Sequence, residues 1–477
     1  MWFVFFFQGM DLYFQRHDGS GVTCDDFRAA MADANRVNLD QFGLWYSTPG
    51  TPTVTYSSTF DLDSGVFKLT LKQSNKGEKP LHIPISTGLI DKVTGEEVVG
   101  TTVLELKENE QTFEFSGLKN DVVPSILRQF SAPIKLVPAS GAVDEESLAF
   151  LAAHDTDGFN RWEAGQRLFT SLLFQKYNSG DMDIKTLDYV YEAFGRTLAN
   201  QDMDYSIKSY ALTLPGESTL AEELDSNVDP VALHKARGAV KNAVARKFQK
   251  ELLDAYNELT SAMAADSEFK VDAESVGRRR LRNTILSYLT GIKDTPEEQK
   301  TAAELATTHY NNASGMTDKM AALNSLASMD GEGASARDAA LQSFYDEANG
   351  DALVLNKWFS VQALADLPDV LDRVKALMKH PDFTLSNPNR CRSLLSAFTM
   401  NSAYFHSEDG EGYKFIADSI AELDKLNPQI SSRMGTSLIQ WRKYGETRAE
   451  LMKTELRKLS SMKLSDDLFE VVNRGLK

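Results

Sequence analysis

Seven histidines are the side chains best suited to hold a metal or move a proton here: His17, His82, His154, His234, His309, His380 and His406. None has another histidine four positions away, so the HExxH helix that presents two imidazoles to zinc is absent. A Gly-rich phosphate loop and a GxSxG elbow are absent too. The nearest thing to a ligand cluster is His154-Asp155-Thr156-Asp157. Those residues suit a loop better, with Asp157 capping the next helix, because a cap needs one acceptor oxygen. Arg278-Arg279-Arg280-Leu281-Arg282 could receive an anion. On an acidic helical chain such a short run is expected to be a solvated, ion-paired face.

Two Asn-Pro segments carry more. Asn387-Pro388-Asn389 and Asn427-Pro428-Gln429 lie 40 residues apart, close to the two-helix period of a helical array. In each, Asn can cap a helix and Pro can take its first position. Arg390 and Arg392 would then fall within two turns of a helix start. Cations there oppose the helix dipole, at about 0.3–1 kcal/mol each unless an anion offsets it. If the repeats stack, Arg392, Gln429 and Arg433 line one concave wall and can receive a carboxylate or peptide carbonyls. The alternative is ordinary caps with solvated arginines.

The elements that would position these residues fall into three stretches. From Gly9 to Trp45 two helices are expected, one opened by the capping box Thr23-Cys24-Asp25-Asp26, with Phe27, Ala30 and Met31 on one face. Fewer than about fifty residues precede the seam Trp45-Tyr46-Ser47-Thr48-Pro49-Gly50-Thr51-Pro52, too few to bury a core alone. Alternation then predicts strands at Val66–Lys72, Leu104–Lys107 and Thr112–Phe115, separated by turns such as Asp63-Ser64-Gly65 and Asn75-Lys76-Gly77. The expected fold is a small antiparallel β-sandwich of immunoglobulin-like size, without the Cys…Trp…Cys core of antibody domains.

From Val143 onward the pattern is helix after helix, for example Phe159–Lys176, Pro230–Ala262, Val276–Leu289, Met316–Ala327 and Ser335–Ala348. Asp157, Asp229 and Ser335 are the expected N-caps, and Lys357-Trp358-Phe359 is expected to pack between helices. Many helices on short loops favour a large all-α superhelical, solenoid-like domain. The predicted domains are therefore 1–48, 49–140 and 141–477.

A formal charge of −17 argues against non-specific binding to nucleic acid or to an anionic membrane. The start Met1-Trp2-Phe3-Val4-Phe5-Phe6-Phe7 is apolar but too short to span a bilayer, and it lacks the basic region and cleavage site of a signal peptide. It reads as an aberrant start. Cys24 and Cys391 cannot build a disulfide framework or a Cys-based zinc site, which suits a reducing compartment, the cytoplasm or an organellar stroma.

Short matches in order along the chain carry a family resemblance: Gly9-Met10-Asp11-Leu12-Tyr13-Phe14, Pro80-Leu81-His82-Ile83-Pro84, Phe130-Ser131-Ala132-Pro133, Leu212-Thr213-Leu214-Pro215, Ser386-Asn387-Pro388-Asn389-Arg390 and Glu408-Asp409-Gly410. From about Gln8 the chain resembles the C-terminal half of bacterial-type aminopeptidase N, in the gluzincin metallopeptidases. The resemblance implies the last helices of a thermolysin-like catalytic domain (1–48), then the sandwich and the helical domain. It implies zinc in the full-length family, held by two histidines and a glutamate, with a second glutamate as general base. It also implies a Gly-x-Met-Glu-Asn segment for the substrate's amino group. None of these has a counterpart here; they would lie upstream of Gln8, so no metal is expected in this chain.

Arg392, Gln429 and Arg433 match substrate-facing positions of the family's helical domain. The expectation is a portion of a zinc aminopeptidase that closes and lines the chamber for peptide substrates and is inactive alone, the missing catalytic domain being its natural partner. A non-catalytic scaffold for peptides or proteins, and a split enzyme completed by a zinc-bearing chain, remain open alternatives.

Overall fold

Thr23 closes the first turn of its helix as the capping box requires: its hydroxyl accepts from the Asp26 amide, and the Asp26 carboxylate accepts from the Thr23 amide at 2.8 Å. The computed structural model describes residues 2–141, 144–264 and 268–477. Met1 and Val143, which open the expected apolar start and helical stretch, lie outside the described residues. The chain divides into two compact units, Met1–Gly165 and Gln166–Lys477. No helix among the described residues is long and apolar enough to cross a membrane.

In the first unit the helices Trp2–His17 and Cys24–Asn35 pack on each other, with Ala30 buried and Phe5, Phe6, Phe7 and Phe14 left in solvent. A short helix at Asp40–Gly43 and a 3-10 turn at Leu44–Tyr46 lead into the sandwich. Trp45 donates from its indole nitrogen to the His82 carbonyl at 2.9 Å, tying this lead to the sheet.

Seven strands follow: β1 Thr53–Asp61, β2 Val66–Ser74, β3 Ile83–Asp91, β4 Glu97–Leu106, β5 Glu110–Phe115, β6 Val122–Ile126 and β7 Lys135–Pro138. One sheet has the order β5-β2-β1-β7 and the other β4-β3-β6; the pairings are antiparallel except β1 with β7. Alternation in β2 turns Phe67, Leu69 and Leu71 inward to meet Ile83, Ile85 and Leu89 of β3. The three predicted strands fall in β2, β4 and β5, with Lys107 one position past the end of β4.

Behind β3 and β6 sits a polar knot that the sequence did not reveal. Arg128, only 1% exposed, donates to Ser125 Oγ at 2.8 Å, Thr101 Oγ1 at 2.9 Å and Asp155 Oδ1 at 2.9 Å, and also reaches Glu97. Ser125 Oγ in turn donates to Asp155 and accepts from Asn160 Nδ2 at 2.7 Å, so its capacity is full. Gly88 makes room for the guanidinium, since a Cβ there would lie 2.3 Å from Arg128 Cζ. Burial pushes the Asp155 carboxyl up, against its bonds to Ser125 and Arg128. Asp157 accepts from the Asn160 amide at 2.9 Å, as expected of a cap. The reading of 154–157 as a simple loop missed Asp155.

The second unit is helical; among its described residues the single β-bridge joins Val228 and Tyr444. Asp229 caps Pro230–Lys247 by accepting from the Val231 and Ala232 amides, with Pro230 in the first turn. Met316–Ala327 runs as predicted. The expected single helix Pro230–Ala262 is instead two, Pro230–Lys247 and Gln249–Ala264. They break at Phe248, whose ring packs 5.2 Å from Phe194, and Gly195 leaves it space. Ser335 is not a cap: that helix begins at Ala334 behind Gly333. Trp358 and Phe359 are buried in mid-helix, and Trp358 donates to the Leu341 carbonyl of the preceding helix at 2.9 Å.

The Arg278–Arg282 run is not the solvated face expected. Arg279 and Arg282 are buried. Arg279 lies over Phe269 at 4.5 Å, Arg280 over Tyr210 at 4.7 Å, and Arg282 pairs with buried Asp318 at 2.8 Å. Aromatic faces from another helix and from the segment before this one convert a charge run into packing.

Candidate functional site

Both Asn-Pro segments open helices as their residues require. Asn387 accepts from the Asn389 and Arg390 amides at 3.0 and 3.2 Å, and Asn427 from the Ile430 amide at 3.1 Å. Pro388 and Pro428 occupy the first turns. The two helices meet: Cys391 Sγ lies 3.8 Å from Met434 Sδ, both buried. Next to these sulfurs in sequence stand Arg392 and Arg433, both exposed, and Gln429 is exposed one turn before Arg433. Arg392 opens a π-helical turn, Arg392–Ser396, and folds back to the Pro388 carbonyl at 3.2 Å and Asn389 Oδ1 at 3.0 Å. Such turns recur at functional sites. Arg390 points inward instead, to Asn356 Oδ1 at 2.9 Å and the face of Phe359.

A second feature, not foreseen from sequence, is a cavity of about 910 Å³ inside the helical unit. His234, Arg237 and Lys241 line it at spacings of three and four along Pro230–Lys247, one face of the helix. That spacing was visible in the sequence; the facing walls from Ala273–Leu289 and Met316–Ala327 were not. His234 sits between Glu217 (2.8 Å) and Asp366 (3.4 Å). Hydrogen bonds to Asp366 and Glu217 hold its imidazolium up to about 10, and His234 in return holds Asp366 down to about 2.

Among the described residues, the neighbouring Arg237 and Lys241 form no ion pair with a carboxylate, while the Lys293 charge helps to hold Asp366 down. Arg237 donates to the Pro215 carbonyl at 2.8 Å, Lys293 donates to the Ser328 carbonyl at 2.6 Å, and Lys241 has the ring of Tyr288 at 5.5 Å. Burial, then repulsion from Arg237 and Lys293, pushes the Lys241 ammonium down to about 8.

Among the described residues no group of three or more His, Cys, Asp or Glu side chains is arranged to hold a metal ion. The donors present therefore do not fit a resident zinc. The arrangement is one of exposed arginines on one helix pair and half-buried cations along a cavity.

The chain belongs to the family described as a domain of unknown function (DUF3458_C) with ARM repeats, which matches residues 145–477. A companion domain of unknown function (DUF3458), of Ig-like fold, matches residues 50–139. More particularly, the similarity is to the C-terminal part of aminopeptidase N. The Escherichia coli aminopeptidase N is 36% identical over 488 residues, covering 99% of this chain and 54% of that protein. The Caulobacter vibrioides aminopeptidase N is 36% identical over 479 residues, covering 99% and 53%. This chain thus spans about half the length of the curated relatives it matches. Among solved structures, the crystal structure of Legionella pneumophila aminopeptidase A in complex with aspartic acid aligns with a TM-score of 0.81 at 28% identity, covering 99% of this chain and 56% of that one.

Proposed function

We propose that this chain is the C-terminal portion of a zinc aminopeptidase that removes N-terminal residues from peptides, and that it lines the substrate chamber while hydrolysis belongs to another part of the enzyme. The observation that carries this reading is the similarity to aminopeptidase N along 99% of the chain, through both the sandwich and the helical domain. In the full-length family zinc would lower the pKa of water to about 7, and that chemistry needs a donor set not found among the residues described here. Arg392, Gln429 and Arg433 would position the peptide: guanidinium forks suit a carboxylate or successive carbonyls, and all three are exposed.

The test is hydrolysis of a chromogenic alanyl-amide by the purified chain with added zinc. No turnover is expected. Turnover would show that the catalytic groups lie within these 477 residues. A split enzyme predicts that a zinc-bearing partner co-purifies from the native source and restores activity. A non-catalytic peptide scaffold, favoured by the same exposed arginines, predicts peptide binding with no such partner.

A further inference from the structure

Among the described residues, the cavity of the helical unit is lined by more cations than carboxylates. The carboxylates nearest to it are engaged: Glu217 and Asp366 with His234, and Asp294 with Arg246 at 2.6 Å. Arg279 and Arg280 are spent on aromatic faces. Arg237 and Lys241 remain, met among the described residues by neutral carbonyls or a ring, while Lys293 donates to a carbonyl and also feels the Asp366 charge. Cations gathered in a partly dehydrated space repel one another unless an anion joins them. In a chain of net charge −17 the concentration of positive charge here is local, not a property of the whole surface.

We propose that this cavity is a carboxylate-binding site in which Arg237 and Lys241, with Lys293 beside them, receive the terminal carboxylate of a short peptide. A volume of about 910 Å³ accommodates such a ligand with its water. Asn283, Asn324 and Ser325 also line the cavity and supply neutral donors and acceptors for peptide groups. The choice of a peptide as ligand rests on the functional reading above; the choice of a carboxylate rests on the cations alone.

The experiment is calorimetric titration of the full chain with trialanine, trialanine amide and inorganic phosphate. Trialanine is expected to bind, and the amide, which lacks the carboxylate, to bind at least about tenfold more weakly, as loss of a charge-assisted bond implies. Lys241→Met should weaken trialanine by a similar factor and Lys241→Arg should retain it; Lys241→Gln replaces the Met variant if that one fails to fold. Equal affinity for trialanine and its amide, no effect of Lys241→Met, or binding of phosphate with which trialanine does not compete would each overturn the proposal. Trialanine binding lost in Arg392→Ala with Arg433→Ala, but intact in Lys241→Met, overturns it while leaving the functional reading standing. Hydrolysis of an alanyl-amide by the chain alone would sink that reading and leave this site untouched.

Discussion

His406 and His309 are imidazoles that the fold keeps neutral. His406 Nδ1 lies 2.8 Å from the Tyr413 hydroxyl, its ring is 4.2 Å from that of Tyr444, and its backbone carbonyl accepts from Arg448 Nε at 2.8 Å. Burial and the nearby Arg448 charge push it down to about 3. His309, 2.8 Å from the Tyr256 hydroxyl, is pushed down to about 4 by burial and by Arg282, with Asp318 opposing. In both, the folded value lies below the ordinary one near 6.5. Between those limits the unfolded chain binds protons that the native protein does not, so stability rises with pH there. Their contribution is complete above about pH 6.5 and is lost as pH falls toward 4, on the order of 1–3 kcal/mol for each histidine. Carboxylates titrate over the same range, so the measurement is a difference: urea unfolding of the wild type against His406→Gln at pH 7 and pH 4.5. The variant is expected to lose less stability on acidification. Equal losses would mean that His406 is protonated in the native protein.

At the scale of elements, the Asn-Pro helices act as a pair. Their caps fix where each helix starts, the Cys391–Met434 contact fixes their approach, and Arg392 and Arg433 emerge beside that contact. Replacing both arginines by Ala removes two exposed side chains with little packing to lose, so the melting temperature should hold. Affinity for a peptide long enough to reach both arginines is expected to fall about tenfold or more if they receive its carbonyls. A binding curve unchanged by the double variant would reduce them to solvated surface.

The same pair shows what sequence can reveal. Caps, first-turn prolines and strand alternation depend on neighbours a few residues away, so Asn387, Asn427, Asp229 and β2 were legible. Phe248 was not, because the break there follows an aromatic contact with Phe194, 54 positions earlier. Nor was Arg128 with Asp155, nor the basic run at 278–282: each is decided by partners that only the fold brings near. The cavity lies beyond reach for the same reason, since one wall can be read from helical spacing but the opposing walls cannot.

Across the whole molecule, chemistry is partitioned by burial more than by composition. The formal charge is strongly negative, several cations of the helical unit face a cavity or aromatic rings, and the two sulfhydryl groups stand in opposite environments. Cys391 is fully buried, and burial raises its thiol to about 11, so the reactive thiolate is scarce; Cys24, at the start of its helix, is exposed. A maleimide at pH 7 is expected to modify one position in the native protein and two in denaturant, counted by mass; two in the native protein would mean that Cys391 is reached by solvent. With that asymmetry, wild-type protein would accept a single dye at a known place. A fluorophore there could follow the helical lead into the sandwich without any residue being exchanged.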